Sequence, residues 1–177
     1  MSSEPRRVDE QRLDELQRLW TPWRMAYIRD PDRETTGCPF CVLPAGDDDR
    51  AALIVHRGET GFVILNAYPY NPGHLMVVPY RHVDAFDALT GDEVCEMALL
   101  SQRAVRALKA CSDPHAFNLG VNVGGVAGAG IADHIHGHVV PRWGGDTNFM
   151  PVIAGTKVLP ELLDETYDRL APAFAAT

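Results

Sequence analysis

Ala132-Asp-His-Ile-His-Gly-His-Val-Val-Pro-Arg142 sets a histidine at every second position, 134, 136 and 138, and runs on into two branched apolar residues. Period-two alternation marks an extended strand, whose successive side chains leave by opposite faces. The spacing predicts a strand over 135–140 with His134, His136 and His138 in one row, about 6–7 Å apart. Such a row can be a catalytic centre, a metal-binding stripe or a solvated strand face. The residues around it decide which.

Upstream, 116–123 alternates as a second strand, and 124–130 is a glycine-rich connection. Further back, 53–55 and 62–65 are apolar and branched on either side of Arg57-Gly-Glu-Thr-Gly61, which predicts a β-hairpin. A third strand, 74–78, follows the loop Asn66-Ala-Tyr-Pro-Tyr-Asn-Pro-Gly73, too rich in proline to stay in a ladder. Thr90-Gly-Asp-Glu93 is a capping box, and it opens a helix whose predicted apolar stripe is Val94, Met97, Ala98, Ser101, Ala104, Val105 and Leu108. A second helix is expected over 160–170, with proline in its first turn. Val8 to Trp20 has helical spacing, Trp20 to Tyr27 reads as a packing or assembly segment, and Pro44 to Arg50 as a solvated loop.

The chain has 177 residues, 46% hydrophobic and 23% charged, which suits one compact domain. A net charge of -8 argues against nucleic acid, whose binding rests on Lys and Arg neutralising phosphates. No apolar run approaches the roughly 20 residues of a membrane span, and the charged N-terminus lacks a signal-peptide centre, so a cytoplasmic protein with no membrane partner is expected. The four cysteines, Cys38, Cys41, Cys95 and Cys111, then read as thiols or metal ligands rather than disulfides.

The histidine row followed by two apolar residues resembles the histidine triad family of nucleotide hydrolases and transferases. Leu65-Asn-Ala-Tyr-Pro-Tyr-Asn-Pro-Gly-His-Leu-Met-Val-Val-Pro-Tyr-Arg-His82 is similar to that family's nucleotide-binding strand pair, and the likeness runs from about residue 38 to 143. The resemblance implies an α+β fold: an antiparallel sheet of about five strands with a long helix packed on it. It adds a C-terminal helix and an N-terminal arm, and assembly as a homodimer or higher homo-oligomer. The implied division is an arm over 1–37, the triad domain over 38–151 and a helical extension over 152–177.

The chemistry this implies centres on His136. A neutral imidazole is a nucleophile near pH 7, and an acceptor on its Nδ1, here the His134 carbonyl, raises the electron density on Nε2. His136 would attack the α-phosphorus of a nucleotide to give a nucleotidyl-histidine. His138 and His74 would sit against phosphate oxygens, where a donor stabilises developing charge. By the same resemblance Asn66 and Asn122 are ribose or phosphate contacts, and Ile64 and Met76 are walls of an adenine pocket.

Members of the family that use water commonly carry Gln followed by Ser or Thr where this chain has Gly130 and Ile131. Gly128-Ala-Gly-Ile131, and the run from Pro141 through Trp143 to Pro151, are similar instead to the family's diadenosine tetraphosphate phosphorylases. Inorganic phosphate would then be the co-substrate, with small residues such as Gly130 leaving room and backbone N–H groups for a second anion. Diadenosine polyphosphate, ATP, ADP and AMP are the implied ligands, with a divalent cation accompanying the polyphosphate. A hydrolase releasing AMP and a zinc-stabilised binding module with little turnover are the alternatives. Gly137 departs from the apolar residue the family prefers there, and glycine in a strand can mark a close approach.

Cys38-Pro-Phe-Cys41 has the spacing of a zinc knuckle, of a redox pair, or of two unligated thiols. Triad relatives with such a pair complete a structural Zn²⁺ site with histidines that match His82 and His134. Cys95 and Cys111 read as core residues.

The charge is unevenly spread. Of 24 acidic residues, 11 fall in 1–50 and none in 62–82. The negative total is therefore compatible with a small anion held by local imidazoles and N–H groups.

Overall fold

Phe62 to Leu65 and Leu75 to Val78 are unbroken apolar runs, and they form the two central strands of the sheet, buried on both faces. In the computed structural model, which describes residues 37–146 and 159–177, these strands are β2 (Gly61–Leu65) and β3 (Leu75–Pro79). With β1 (Ile54–Arg57), β4 (Ala116–Val121) and β5 (Gly137–Arg142) they make a five-stranded sheet, order β1-β2-β3-β5-β4, antiparallel throughout. The expected helix over 8–20, the segment 20–27 and residues 147–151 lie outside the described residues. Among the described residues no helix is long and apolar enough to cross a membrane.

Register divides the sheet into two faces. Ile64 pairs with Met76, Met76 with His138, and His138 with Gly120. Directly paired residues point the same way, so these four form one rung on one face. The next rung, Leu65, Leu75, Val139 and Leu119, points to the other.

That other face carries the main core. Val63, Leu65, Leu75, Val77 and Val139 pack under α2 (Gly91–Ser112), and α3 (Leu163–Ala175) adds Leu170 and Phe174. The capping box forms as expected: Thr90 Oγ1 accepts from the Glu93 N–H, and the Glu93 carboxylate accepts from the Thr90 N–H. The face α2 buries is Glu93, Met97, Leu100, Ala104, Ala107 and Leu108. It is rotated from the predicted stripe, and Val94 and Ala98 are exposed. The helix packs on the sheet and on α3 together, so Leu100 and Ala107 turn inward. Around the opposite face lies a smaller cluster of Ile54, Phe62, Ile64, Met76 and Val78, capped by Phe40.

Three further expectations are corrected. The C-terminal helix begins at Leu163, after Pro160, and its first turn is held by the Glu165 carboxylate accepting from the Leu162 N–H. Strand pairing of the histidine segment begins only at Gly137, because the chain ahead of it is tied elsewhere: the Ile135 N–H donates to the Val83 carbonyl at 2.7 Å. Cys95 is exposed on α2, whereas Cys111 packs against the main core.

Candidate active site

His138 is the triad residue that lies within a paired strand, on the rung with Ile64 and Met76. His136 immediately precedes β5, outside the paired strand, with its ring 4.9 Å from that of His138. It is buried, and Phe40 lies against it at 5.0 Å between centroids. Its Nδ1 donates to the His134 carbonyl at 2.9 Å, the acceptor expected from the sequence, which leaves the lone pair on Nε2. Burial pushes the imidazole below its ordinary pKa, and the hydrogen bond to the His134 carbonyl opposes this in part. His136 is thus neutral and basic at Nε2 near pH 7.

The loop 66–73 supplies the other imidazole. Gly73 has φ +78°, and a Cβ there would meet Leu108 at 2.9 Å, so the turn into β3 requires glycine. His74, fully buried, follows. The Tyr70 N–H donates to its Nδ1 at 3.1 Å, and the Asn66 amide lies 3.3 Å from the same atom. A backbone N–H can only donate, so the neutral ring carries its proton on Nε2, which lies 3.0 Å from His138 Nδ1. His138 accepts there and carries its own proton on Nε2. His136 and His138 therefore hold opposite tautomers, one with its lone pair on Nε2 and the other with its proton there.

His134 leaves the row. Its ring is fully buried beside Cys38, Cys41 and His82, and the ligand atoms of these four lie within 4.8 Å of one another. One helical turn, α1 (Pro39–Val42) with Cys38 at its N-cap, brings both thiols to one side. His134 Nε2 donates to the Pro79 carbonyl at 2.9 Å, so Nδ1 offers a lone pair toward the thiols. Nδ1 is 3.3 Å from Cys38 Sγ and 3.6 Å from Cys41 Sγ, and His82 Nδ1 is 3.4 Å from Cys41 Sγ. Tetrahedral Zn²⁺ with bonds of about 2.3 Å to sulfur and 2.0–2.1 Å to nitrogen separates S and N ligands by about 3.5 Å. The four residues therefore fit a zinc ion in number, type and spacing. Burial lowers the pKa of His134, which favours the neutral form a metal requires, and raises that of the Cys41 thiol.

The remaining predicted residues scatter. Ile64 and Met76 wall the histidine face. Besides contacting His74, Asn66 accepts the Tyr68 N–H on Oδ1 at 2.9 Å, an Asx turn. Asn122 is half-buried just beyond β4, and Gly130 is exposed beside Ile131, which packs on the Phe40 cluster. Trp143 lines a hollow of about 620 Å³ with Asn71, Cys111, Glu161 and Arg169, and no triad histidine is among the described residues lining it. Gly137 faces Met97 at ordinary contact distance, so no close approach demands glycine there. Sequence reasoning missed Phe40, which joins the cysteine pair to His136, and the Asn71–Asp146 contact beneath His74. For Phe40 a signal existed, an apolar residue inside the knuckle.

The HIT domain family model matches residues 49–145. A protein of Mycobacterium tuberculosis named AP-4-A phosphorylase is 48% identical over 169 residues, covering 92% of this chain and 86% of its own length. A Zn-bound histidine triad family protein from Mycobacterium smegmatis superposes with a TM-score of 0.64 at 28% identity, over 79% of this chain and 94% of that one. The fold is also that of Plasmodium falciparum diadenosine triphosphate hydrolase, with a TM-score of 0.55 at 16% identity over 73% of this chain and 78% of that one.

Proposed function

The chain belongs to the HIT family, and on that premise we propose that it is a nucleotidyltransferase that cleaves diadenosine tetraphosphate by phosphorolysis, giving ATP and ADP. The observation that carries this reading is the hydrogen bond from His136 Nδ1 to the His134 carbonyl, which directs the Nε2 lone pair of a buried neutral imidazole to chemistry.

In the first step His136 Nε2 attacks the α-phosphorus, a P–N bond forms, and the bond to the bridging oxygen breaks with departure of ATP. His138 donates from Nε2 to phosphate oxygen as negative charge builds there. Phosphate then attacks the adenylyl-histidine, the P–N bond breaks, and ADP leaves with His136 restored. His74 acts through His138 in this scheme, since its Nε2 is given to that ring rather than to substrate. Ile64 and Met76 offer the base an apolar wall, and Asn66 and Asn122 are the polar groups nearest the strand ends for the sugar.

Phosphate as second substrate is supported by the name of the 48% identical relative and by Gly130 and Ile131, which offer no side-chain donor to a water-directed leaving group. Cys38, Cys41, His82 and His134 would hold Zn²⁺, whose role is structural: it would fix the knuckle whose Phe40 covers His136. A divalent cation with the polyphosphate, a cytoplasmic location, the division into an arm over 1–37, a HIT domain over 38–151 and an extension over 152–177, and assembly as a homodimer or higher homo-oligomer belong to the same proposal.

The test is to incubate the protein with diadenosine tetraphosphate, with and without phosphate, and identify products. ATP plus ADP formed only with phosphate is the expected result. AMP without phosphate identifies a hydrolase instead, and binding without turnover a nucleotide-binding module.

A further inference from the structure

We propose that Asn71 and Asp146, neither of which reaches the triad, are positioning residues that set the tautomer of His138 through His74. The inference rests on the reading of His138 as donor given above. Asn71 is buried, and its amide Nδ2 donates to the Pro141 carbonyl at 2.9 Å and to Asp146 Oδ2 at 2.7 Å. Its backbone carbonyl accepts the His74 N–H at 3.1 Å, so the side-chain bonds anchor the residue from which that turn is closed.

Asp146 gathers the strand end and the loop into one knot. Its carboxylate accepts from Arg142 Nε at 2.6 Å, from Arg142 Nη2 at 3.0 Å and from the Trp143 N–H at 3.2 Å, besides the Asn71 amide. Arg142 closes β5, four residues after His138. The knot therefore fixes the turn 70–74 against the same strand that carries His138.

That turn makes a chemical choice. While it holds, the Tyr70 N–H faces His74 Nδ1, the His74 proton sits on Nε2, and His138 must accept on Nδ1 and donate from Nε2. If the turn loosens, His74 can carry its proton on Nδ1. Its Nε2 then accepts from His138 Nδ1–H, and His138 presents a lone pair to a phosphate oxygen. The two arrangements have the same atoms and opposite electrostatics at the site.

Long-range ¹H–¹⁵N spectra of the full chain labelled at histidine read the tautomers directly, without nucleotide. In the wild type, His74 and His138 should each show a protonated Nε2, and His136 a protonated Nδ1. In Asn71→Ala, His74 and His138 should shift to mixed tautomers while His136 keeps its pattern. With diadenosine tetraphosphate, kcat should then fall by about tenfold or more with KM within about threefold, the signature of an interaction made in the transition state. Asp146→Asn, a milder change, should move both readouts the same way and decides the matter should Asn71→Ala not fold. A wild-type His138 protonated on Nδ1, or unchanged tautomers in a folded variant, overturns the proposal. Because the spectra need no substrate, they are independent of whether phosphate or water is the second reactant.

Discussion

The two faces of one sheet are built from alternate residues of the same strands, yet they are held by different physics. Under α2 and α3, Val63, Leu65, Leu75, Val77 and Val139 meet Met97, Leu100, Leu108, Leu170 and Phe174 in contacts with no direction. Across the sheet the apolar cluster is smaller, and His136, His138 and His134 are oriented by directional hydrogen bonds, those to His134 O, His74 Nε2 and Pro79 O among them. Burial scales with area and degrades gradually, whereas a tautomer is set or lost by one donor. Stability should therefore concentrate on one face and chemistry on the other.

The sharpest break of that division is His136→Ala. Under the covalent mechanism it removes the nucleophile, and turnover should fall by about three orders of magnitude or more. The unfolding free energy should drop by less than about 2 kcal/mol, since the site loses an imidazole and one hydrogen bond. Denaturant titration beside product assay checks both. Turnover within tenfold of wild type would remove the covalent role.

Leu170→Ala is the converse. The side chain is fully buried in the helix-covered core, and truncation should cost about 2–5 kcal/mol. At a temperature where both proteins are folded, kcat/KM should stay within about threefold. A loss of activity as large as the loss of stability would show that the faces are coupled and the comparison is drawn too sharply.

Much of this architecture was legible because its signals are local. The capping box, the hairpin and the strand expected over 116–123 each need only a few neighbouring residues, and all three form, the strand stopping two residues early at Val121. What could not be read is set by distant partners. His134 stands in the alternating row yet turns to Cys38 and Cys41, because the Pro79 and Val83 carbonyls, each more than fifty residues away in sequence, hold the chain before it can pair. The stripe on α2 was misplaced because α3 buries a second side that periodicity alone cannot see. Trp143, next to β5, lines a hollow with Glu161 and Arg169 of the C-terminal segment, which no spacing around the triad could announce.

The cysteine pair sharpens the comparison from its edge, since Phe40 sits in the apolar cluster and against His136 at once. Protein purified without added zinc should carry about one ion per chain, and Cys41→Ser should bring that below about a tenth. Tm should fall by roughly 4–8 °C, the equivalent of about 2 kcal/mol for a chain of this size. Elemental analysis and thermal unfolding check this. Zinc retained at full stoichiometry would remove Cys41 from the ligand set.

The smallest effect tests the seam between the two regions. Glu93, at the start of α2, accepts from Arg81 Nε at 2.8 Å and Nη2 at 2.6 Å and from the Thr90 N–H at 2.8 Å, so it ties the helix to the segment that presents His82. The Arg81 guanidinium first, and the Thr90 N–H second, hold its carboxyl down at about 2, below the ordinary value of 4.5. A folded pKa below the unfolded one means the native state binds the proton less readily. The contribution is therefore full above about pH 4.5 and is lost as pH falls toward 2. Glu93→Gln should cost about 1–2 kcal/mol at pH 7, the scale of a charge-assisted hydrogen bond to a partly exposed arginine, and the gap to wild type should narrow steadily in denaturant titrations between pH 4.5 and 2.5. A gap that stays constant over that range would assign the cost to the shape of the capping box rather than to the charge. The seam would then belong to the helix-covered region alone, with no electrostatic hold on His82.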